Sequence, residues 1–189
     1  MSSNDPTENI NVATIPTPNP NALMFRVDEM LVPHGTYEFN SKKEAAVSPF
    51  AEALFGQSGI NSVFIAPRFV TIEKHANDLW PDLVPFIKKT IRDLIHLGSV
   101  AVLDEGLTVA HQSQNEVEKK IQAILDDDIR PMLARDGGDV TFVGFHDGVV
   151  QLQLIGACGN CPSSTTTLQM GISSYLQEEI PEVIGVEQV

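Results

Sequence analysis

Both cysteines of the 189-residue chain lie in one short segment, Gly156-Ala157-Cys158-Gly159-Asn160-Cys161-Pro162. An apolar run precedes this segment, and a proline followed by serines and threonines predicts that a helix starts after it. Gly156 and Gly159, before and between the cysteines, allow the backbone to bend tightly and to approach a bound group closely. The segment is therefore predicted to form a loop between a strand and a helix, outside the hydrophobic core.

The spacing of the two cysteines allows both sulfur atoms to point at one position. If the helix begins at Pro162, Cys161 lies at its N-terminus, where open N–H groups and the helix dipole favour a thiolate. The thiolate is the form of cysteine that binds metals and acts as a nucleophile. Cys158 and Cys161 are therefore the predicted site of soft-metal or redox chemistry.

The composition of the chain argues against several classes of protein. A net charge of −13 argues against binding to nucleic acid or to an anionic membrane, and no apolar run reaches the length of a membrane span. The first fifteen residues contain neither lysine nor arginine and no apolar block, so they resemble neither a secretory signal nor a transit peptide. A structural disulfide is not expected in such a chain. We therefore expect a cytoplasmic protein that has no nucleic-acid or membrane partner.

Residues 15–105 have the pattern of a first domain, which follows a polar, disordered tail over residues 1–14. The three prolines of Ile15–Asn21 predict an extended segment, because proline fixes φ and removes a donor. The other elements follow from apolar periodicity and turn residues: strands at 22–27 and 36–39, a helix after Ser48-Pro49, a hairpin over 60–73 and a helix over 83–95.

A second domain is predicted over residues 113–189, after a linker at 106–112. Ser113 and Glu116 have the spacing of a capping box, which starts a helix. Pro131 lies inside the pattern of that helix and predicts a kink or an altered last turn. The side chains expected to face inward are Val117, Ile121, Ile124, Leu125, Ile129 and Met132.

The remainder of this domain alternates strands and helices. Strands are predicted at 140–145 and 149–155, joined by a tight turn at Asp147-Gly148. The cysteine loop, a helix to about Glu178 and a last strand over 183–189 follow. The helix is expected to bury Leu168, Ile172, Tyr175 and Leu176. The predicted fold class is therefore α+β, with two small two-layer α/β-sandwich domains joined by a linker.

The second domain resembles the C-terminal domain of the NifU/Nfu family of iron–sulfur scaffold proteins. The residues that match are Arg130-Pro131, Asp136-Gly137-Gly138-Asp139-Val140, and the cysteine segment extended by Ser163-Ser164-Thr165. The first domain is similar to the N-terminal domain found in many Nfu proteins, through Thr17-Pro18-Asn19-Pro20-Asn21, Ser48-Pro49, Leu54-Phe55-Gly56 and residues 62–72. Together the two resemblances cover nearly all of the chain from Ile15 onward.

The resemblance implies a non-enzymatic scaffold or carrier that binds an iron–sulfur cluster, usually [4Fe–4S]. Such a protein takes its cluster from an upstream donor and passes it to apo-protein clients. Cys158 and Cys161 would be the ligands, and Gly156 and Gly159 would support them through the backbone. Full NifU proteins contain two further cysteine-bearing domains, for which this chain has no cysteines.

Counting ligands leads to a related expectation. A cluster usually takes four thiolates, and structural zinc takes four cysteine or histidine ligands. One chain has two cysteines, and its five histidines are scattered without a second paired spacing. Either two chains form a homodimer around one cluster, or an outside thiol completes the shell. The count leaves [4Fe–4S] and [2Fe–2S] both open.

Two other interpretations use the same residues. A thioredoxin-like protein also places C-x-x-C between a strand and a helix, although few residues follow Cys161 to complete that fold. A dimer that holds zinc with four thiolates, as an interaction domain, is the second alternative. Asp136 and Asp139 flank a Gly-Gly pair and are expected to make local backbone hydrogen bonds rather than to bind a metal.

Overall fold

The computed structural model describes residues 10–99, 101–103, 116–159 and 165–189. The chain divides into two compact units, residues 1–108 and 109–189. Each unit combines a sheet with helices, which confirms the predicted α+β fold class. The predicted linker at 106–112 lies outside the described residues. Within the described ranges, no helix has the length and apolar character that a membrane span requires.

The first unit contains a five-stranded antiparallel sheet with helices packed on one face. Its strands are β1 (Val12–Pro16), β2 (Ala22–Val27), β3 (Tyr37–Phe39), β4 (Ile60–Ala66) and β5 (Phe69–Lys74), in the order β1-β2-β5-β4-β3. Its helices are α1 (Pro49–Leu54), preceded by a 3₁₀ turn at Glu44–Val47, and α2 (Trp80–His96). The core includes Phe25, Val63, Ile72, Ile87 and Ile91, which are completely buried.

Strand β1 lies partly within the segment predicted to be a disordered tail. Val12 is buried and pairs with Val27 of β2, so the ordered domain begins before Ile15. The strand lies at the edge of the sheet. Proline is tolerated there, because the outer side of an edge strand has no neighbouring strand that needs its N–H as a hydrogen-bond donor. The pairing with β2, rather than any local pattern in β1, places this segment in the sheet.

Ser48 connects the start of α1 to the end of the first unit. Its Oγ accepts a hydrogen bond from the N–H of Ala51 at 3.0 Å, as expected of an N-cap residue. The same hydroxyl donates to the carbonyl of Ala101. Leu103 N–H donates to the carbonyl of Val47 at 2.7 Å. Residues 101–103 therefore belong to the first unit, next to α1.

The described residues of the second unit form a three-stranded sheet, three α-helices and a π-helical turn. Its elements are α3 (Glu116–Ile124), a π-helical turn (Leu125–Ile129), α4 (Arg130–Arg135), β6 (Gly138–His146), β7 (Val149–Gly156), α5 (Thr165–Glu179) and β8 (Gly185–Gln188). β7 lies in the centre, antiparallel to β6 and parallel to β8. Asp147 and Gly148 have φ values of 49° and 81°, which confirms the predicted tight turn.

The effect of Pro131 on the helix appears before the proline rather than in the last turn. Pro131 has no N–H to donate to a carbonyl of the preceding turn, and the helix widens so that Arg130 N–H donates to the carbonyl of Leu125. The buried residues then follow one another at intervals of four: Ile121, Leu125, Ile129 and Leu133. The prediction that Met132 faces inward is wrong, because the wider turn moves Leu133 into that position and leaves Met132 43% exposed.

Helix α5 buries Ile172 and Leu176 as predicted, but it does not bury Tyr175. The Tyr175 hydroxyl donates to Asp128 Oδ2 at 3.1 Å and so links α5 to the π-helical turn. This hydrogen bond and the negative charge of Asp128 raise the pKa of Tyr175 above its ordinary value. The prediction for Leu168 falls outside the side chains that the structure describes.

Candidate functional site

The chain turns sharply at the end of β7, where the predicted site begins. Gly156 has a φ of 68°, which only glycine adopts without strain. Gly159 N–H then donates to the carbonyl of Gly156 at 3.2 Å and closes a four-residue turn, called the cysteine turn below. The tight bend predicted at Gly156 is confirmed. Cys161 and Pro162 lie outside the described residues, so the second ligand and the helix start remain predictions.

The prediction that the cysteine segment lies outside the hydrophobic core is wrong for Cys158. It is only 5% exposed and belongs to the hydrophobic cluster of the second unit. The cysteine turn folds back against the start of β6, because Ala157 N–H donates to the carbonyl of Gly137 at 3.1 Å. In this arrangement Cys158 packs as a small apolar side chain, and its thiol is shielded from solvent.

Two glycines leave the space that this packing requires. A Cβ on Gly138 would lie 2.6 Å from Cys158 Sγ and 2.8 Å from the carbonyl oxygen of Ile155. A Cβ on Gly159 would lie 2.8 Å from the carbonyl oxygen of Leu154. The close approach that the sequence predicts at Gly159 is therefore made to the chain itself, and an approach to a bound group stays a prediction.

Gly138 is a contributor to the site that the sequence reasoning did not identify. Its neighbour Gly137 has a φ of 80° and satisfies the turn between α4 and β6. The turn does not need a second adjacent glycine. The presence of glycine at 138 as well is therefore the sequence signal that could have indicated close packing of another part of the chain against this position.

A partly buried ion pair fixes the start of β6 beside the cysteine turn. Arg130 Nη1 donates to Asp139 Oδ2 at 2.9 Å, and the Asp139 side chain is only 7% exposed. Asp139 Oδ1 also accepts from the N–H of Val140 at 2.7 Å, which confirms the local backbone bond predicted for Asp139. Arg130 Nε lies 2.8 Å from Asp126 Oδ1, but it makes no aligned hydrogen bond there. Arg130 therefore ties α4 and the π-helical turn to β6.

Replacing Asp139 by asparagine tests this tie. The amide oxygen can still accept from Val140, but the charge that pairs with Arg130 is lost. We expect Asp139→Asn to lower the free energy of unfolding by about 1.5–3 kcal/mol, the usual range for a hydrogen bond to a charged group. The measurement is urea unfolding of the full chain, followed by far-UV circular dichroism.

The matched control is Asp93→Asn, which removes the carboxylate of a solvent-exposed pair with Lys89. Exposed pairs contribute little because water and salt screen them, so its effect should stay below about 0.5 kcal/mol. Equal effects of the two substitutions would mean that the Arg130–Asp139 pair has no special role in the fold.

Other metal ligands are scarce in the described part of the chain. His34, His75, His96 and His146 are all exposed, and His111 lies outside the described residues. Among the described residues, no group of three or more histidine, cysteine, aspartate or glutamate side chains is placed to hold a metal ion. Any soft-metal site of the described region therefore depends on Cys158 and on ligands from elsewhere.

Comparison with known proteins assigns each unit to a protein family. The profile of the family described as "Scaffold protein Nfu/NifU N terminal" matches residues 12–98, and that of the "NifU-like domain" family matches residues 121–187. The human protein named NFU1 iron-sulfur cluster scaffold homolog, mitochondrial, is 42% identical over 181 residues, which cover 94% of this chain and 71% of the human one. The chain belongs to the NFU1/NifU-like family. The predicted resemblance is thereby confirmed.

Two further similarities concern members of the NFU1/NifU-like family. NifU-like protein 5, mitochondrial, of Arabidopsis thaliana is 36% identical over 184 residues, which cover 94% of this chain and 67% of the plant protein. The solution structure of a NifU-like protein from Saccharomyces cerevisiae is 28% identical, with a TM-score of 0.47 over 51% of this chain and 87% of that one. The first family profile begins at residue 12, where strand β1 also begins.

The comparisons overturn the predicted cytoplasmic location. The human, Arabidopsis and Drosophila grimshawi relatives are all named as mitochondrial proteins. The prediction depended on the absence of a targeting pattern in the first fifteen residues. Targeting segments are removed from mature chains, so their absence from a sequence does not exclude an organelle.

Proposed function

We propose that this NFU1/NifU-like protein is an iron–sulfur cluster scaffold or carrier, with Cys158 and Cys161 as the cluster ligands. The proposal is supported by the family of both domains and by the names of the relatives, which describe iron–sulfur scaffolds. The observation that carries it is local. Cys158 lies in a tight turn at the end of the central strand β7, and the second cysteine follows three residues later.

The number of thiolates determines how the cluster is held. An iron–sulfur cluster commonly binds four thiolates, and each chain has two cysteines. We propose that two chains share one [4Fe–4S] cluster, each through Cys158 and Cys161, with [2Fe–2S] as the alternative cluster. The cluster is cargo rather than a permanent cofactor. Because each chain holds it by two bonds, separation of the chains exposes the cluster for transfer.

The residues around the turn have a supporting role in this proposal. Gly156 allows the bend, Gly159 allows the turn to close against the carbonyl of Leu154, and Ala157 and Cys158 are buried. A buried environment limits the access of oxygen and water to a bound cluster. The chain supplies binding and protection, and the proposed activity requires no catalytic residue, so the protein is not an enzyme.

The partners follow from the direction of transfer. An upstream donor supplies the cluster, and apo-proteins that require iron–sulfur clusters receive it. We place these exchanges in mitochondria, in line with the relatives. A net charge of −13 disfavours nucleic acid and anionic membranes as partners.

Anaerobic reconstitution tests the proposed cargo. The full chain is incubated with ferrous iron, sulfide and a reductant, desalted, and analysed for iron, sulfide and zinc, with Mössbauer spectra to identify the cluster. We expect about four iron and four sulfide per two chains. A protein that retains zinc but neither iron nor sulfide would favour the zinc-linked dimer instead.

A transfer assay separates a carrier from a thiol–disulfide oxidoreductase. The reconstituted protein should restore the cluster of an apo-ferredoxin or apo-aconitase client, because its cluster is held by bonds that a client can replace. With insulin and a dithiol reductant, it should not exceed the rate of the reductant alone. Catalytic reduction of insulin without cluster transfer would reverse this conclusion.

A further inference from the structure

The contact between Gly138 and Cys158 joins two parts of the sequence that lie far apart. Gly138 is the first residue of β6 and pairs with Gly156, the last residue of β7. Cys158 lies two residues after Gly156 in sequence. Its sulfur occupies the space that a side chain on residue 138 would fill. The nearest atoms to a Cβ built on Gly138 are Cys158 Sγ at 2.6 Å, the carbonyl oxygen of Ile155 at 2.8 Å and Cys158 Cβ at 2.9 Å.

These distances are too short for any side chain to coexist with the sulfur in its present position. Non-bonded heavy atoms normally stay about 3.5–4 Å apart. The sulfur is not the end of a long, flexible side chain that could move aside freely, because Cys158 is buried and packed in the core. A methyl group at residue 138 therefore has to displace the sulfur, the strand or both.

The strand is the less movable of the two. Gly137 accepts a hydrogen bond from Ala157, which fixes the distance between the turn before β6 and the cysteine turn. The buried carboxylate of Asp139 is held by Arg130 and by its bond to Val140. The sulfur is therefore the atom expected to move further, although the 2.8 Å contact with the backbone oxygen of Ile155 must also lengthen.

We propose that Gly138 is a positioning residue for Cys158. Because glycine has no side chain, the sulfur of Cys158 can occupy the space beside it. The Arg130–Asp139 pair fixes the start of β6 and so maintains this space. This inference rests on the proposed function, since it concerns a cluster ligand. Its direct consequence is visible without a cluster: Gly138→Ala moves the Cys158 thiol toward solvent in the cluster-free protein.

Alkylation of the thiol measures this movement. In a Cys161→Ser parent, Cys158 is the only thiol, and its buried position should make it react slowly with iodoacetamide. Adding Gly138→Ala should raise the alkylation rate by about tenfold or more, because access and not intrinsic reactivity limits a buried thiol. The matched control is Gly171→Ala, where a Cβ meets nothing within 4 Å. It should leave the rate unchanged.

A double-mutant cycle distinguishes positioning of the sulfur from general damage to the fold. Gly138→Ala should lower the thermal midpoint of the second unit by about 5 °C or more. In a Cys158→Ala background the nearest clashing atom, the sulfur, is absent, so the same substitution should cost clearly less, although the contacts with the carbonyl oxygen of Ile155 and with the Cβ of residue 158 remain. The single tryptophan, Trp80, lies in the first unit, and its fluorescence transition should not change.

The outcomes are separable. If Gly138→Ala fails to fold but folds when combined with Cys158→Ala, the contact with the sulfur is established in another way. An unchanged alkylation rate, an equal midpoint shift in both backgrounds, or loss of folding in both backgrounds would overturn the inference. A wild-type chain that binds no cluster on reconstitution would overturn the proposed function instead, and it would leave the thiol measurements valid.

Discussion

Replacing either Cys158 or Cys161 by alanine should abolish stable cluster binding. In a shared site, one substitution removes two of the four thiolates, because the same residue is lost from both chains. The expected loss of affinity exceeds about 100-fold, the upper end of what removal of an outer supporting group costs a metal site. The measurement is iron and sulfide content after anaerobic reconstitution and desalting.

The two substitutions should differ in their effect on the fold. Cys158 is buried in the core of the second unit, so Cys158→Ala should lower the free energy of unfolding by about 1 kcal/mol for the lost packing. The protein should nevertheless stay folded. The double variant should bind no less cluster than either single variant, since residues that act as one unit are not additive.

Ser174→Ala is the matched control for these variants. Ser174 lies on the exposed face of α5 in the same unit, and its hydroxyl donates only to the carbonyl of Met170 among the described contacts. It should retain the full content of iron and sulfide. A Cys158→Ala or Cys161→Ala protein with the same content as this control would refute the ligand assignment.

The local features of the fold could be predicted from sequence because short stretches determine them. Asp147-Gly148 specifies its turn through the positive φ values that both residues adopt. Ser48 specifies the start of α1 through its own hydroxyl. The positions of strands β2, β4 and β5 follow from apolar and β-branched runs, and these lie where the patterns predict them.

The misses have two causes, a local change of helix geometry and contacts between distant residues. The wide turn before Pro131 changes the phase of the helix, so a fixed period of 3.6 residues selects Met132 when Leu133 is the buried residue. Strand β1 depends on pairing with β2, and Ile10 before it accepts a hydrogen bond from Arg92 of α2 at 3.1 Å. No local pattern in residues 10–16 contains this information.

The ligand chemistry of the candidate site stays a prediction, whereas the predicted placement of Cys158 outside the core is wrong. The spacing of the cysteines points to them as ligands, and glycine at 156 points to a bend. The burial of Cys158, however, depends on an empty space provided by Gly138, and the position of β6 depends on Arg130 pairing with Asp139. These partners are 20 and 9 residues apart in sequence, and only the folded chain brings them together.

Cluster binding and dimerisation should be coupled in this protein. One chain supplies two thiolates and a cluster usually takes four, so in the proposed shared site the cluster would bind the dimer and not the monomer. A ligand that binds only the dimer drives association by mass action. Without the cluster, two chains that each carry a charge of −13 repel one another. We therefore expect a monomeric apo-protein at micromolar concentration and a two-fold symmetric holo dimer.

Anaerobic size-exclusion chromatography with light scattering, read beside the iron content, measures this coupling. The holo form should have twice the apo mass and about one [4Fe–4S] cluster per two chains, and chelation of iron should restore the monomer. The Cys158→Ala/Cys161→Ala variant should stay monomeric when treated with iron and sulfide. Since the chains carry like charges, higher salt should tighten the holo dimer by screening their repulsion. A monomer with a full cluster per chain would refute the shared site and indicate an outside thiol as the missing ligand. A tight dimer of the apo-protein would refute the coupling between cluster binding and dimerisation, but it would not contradict the assignment of the ligands.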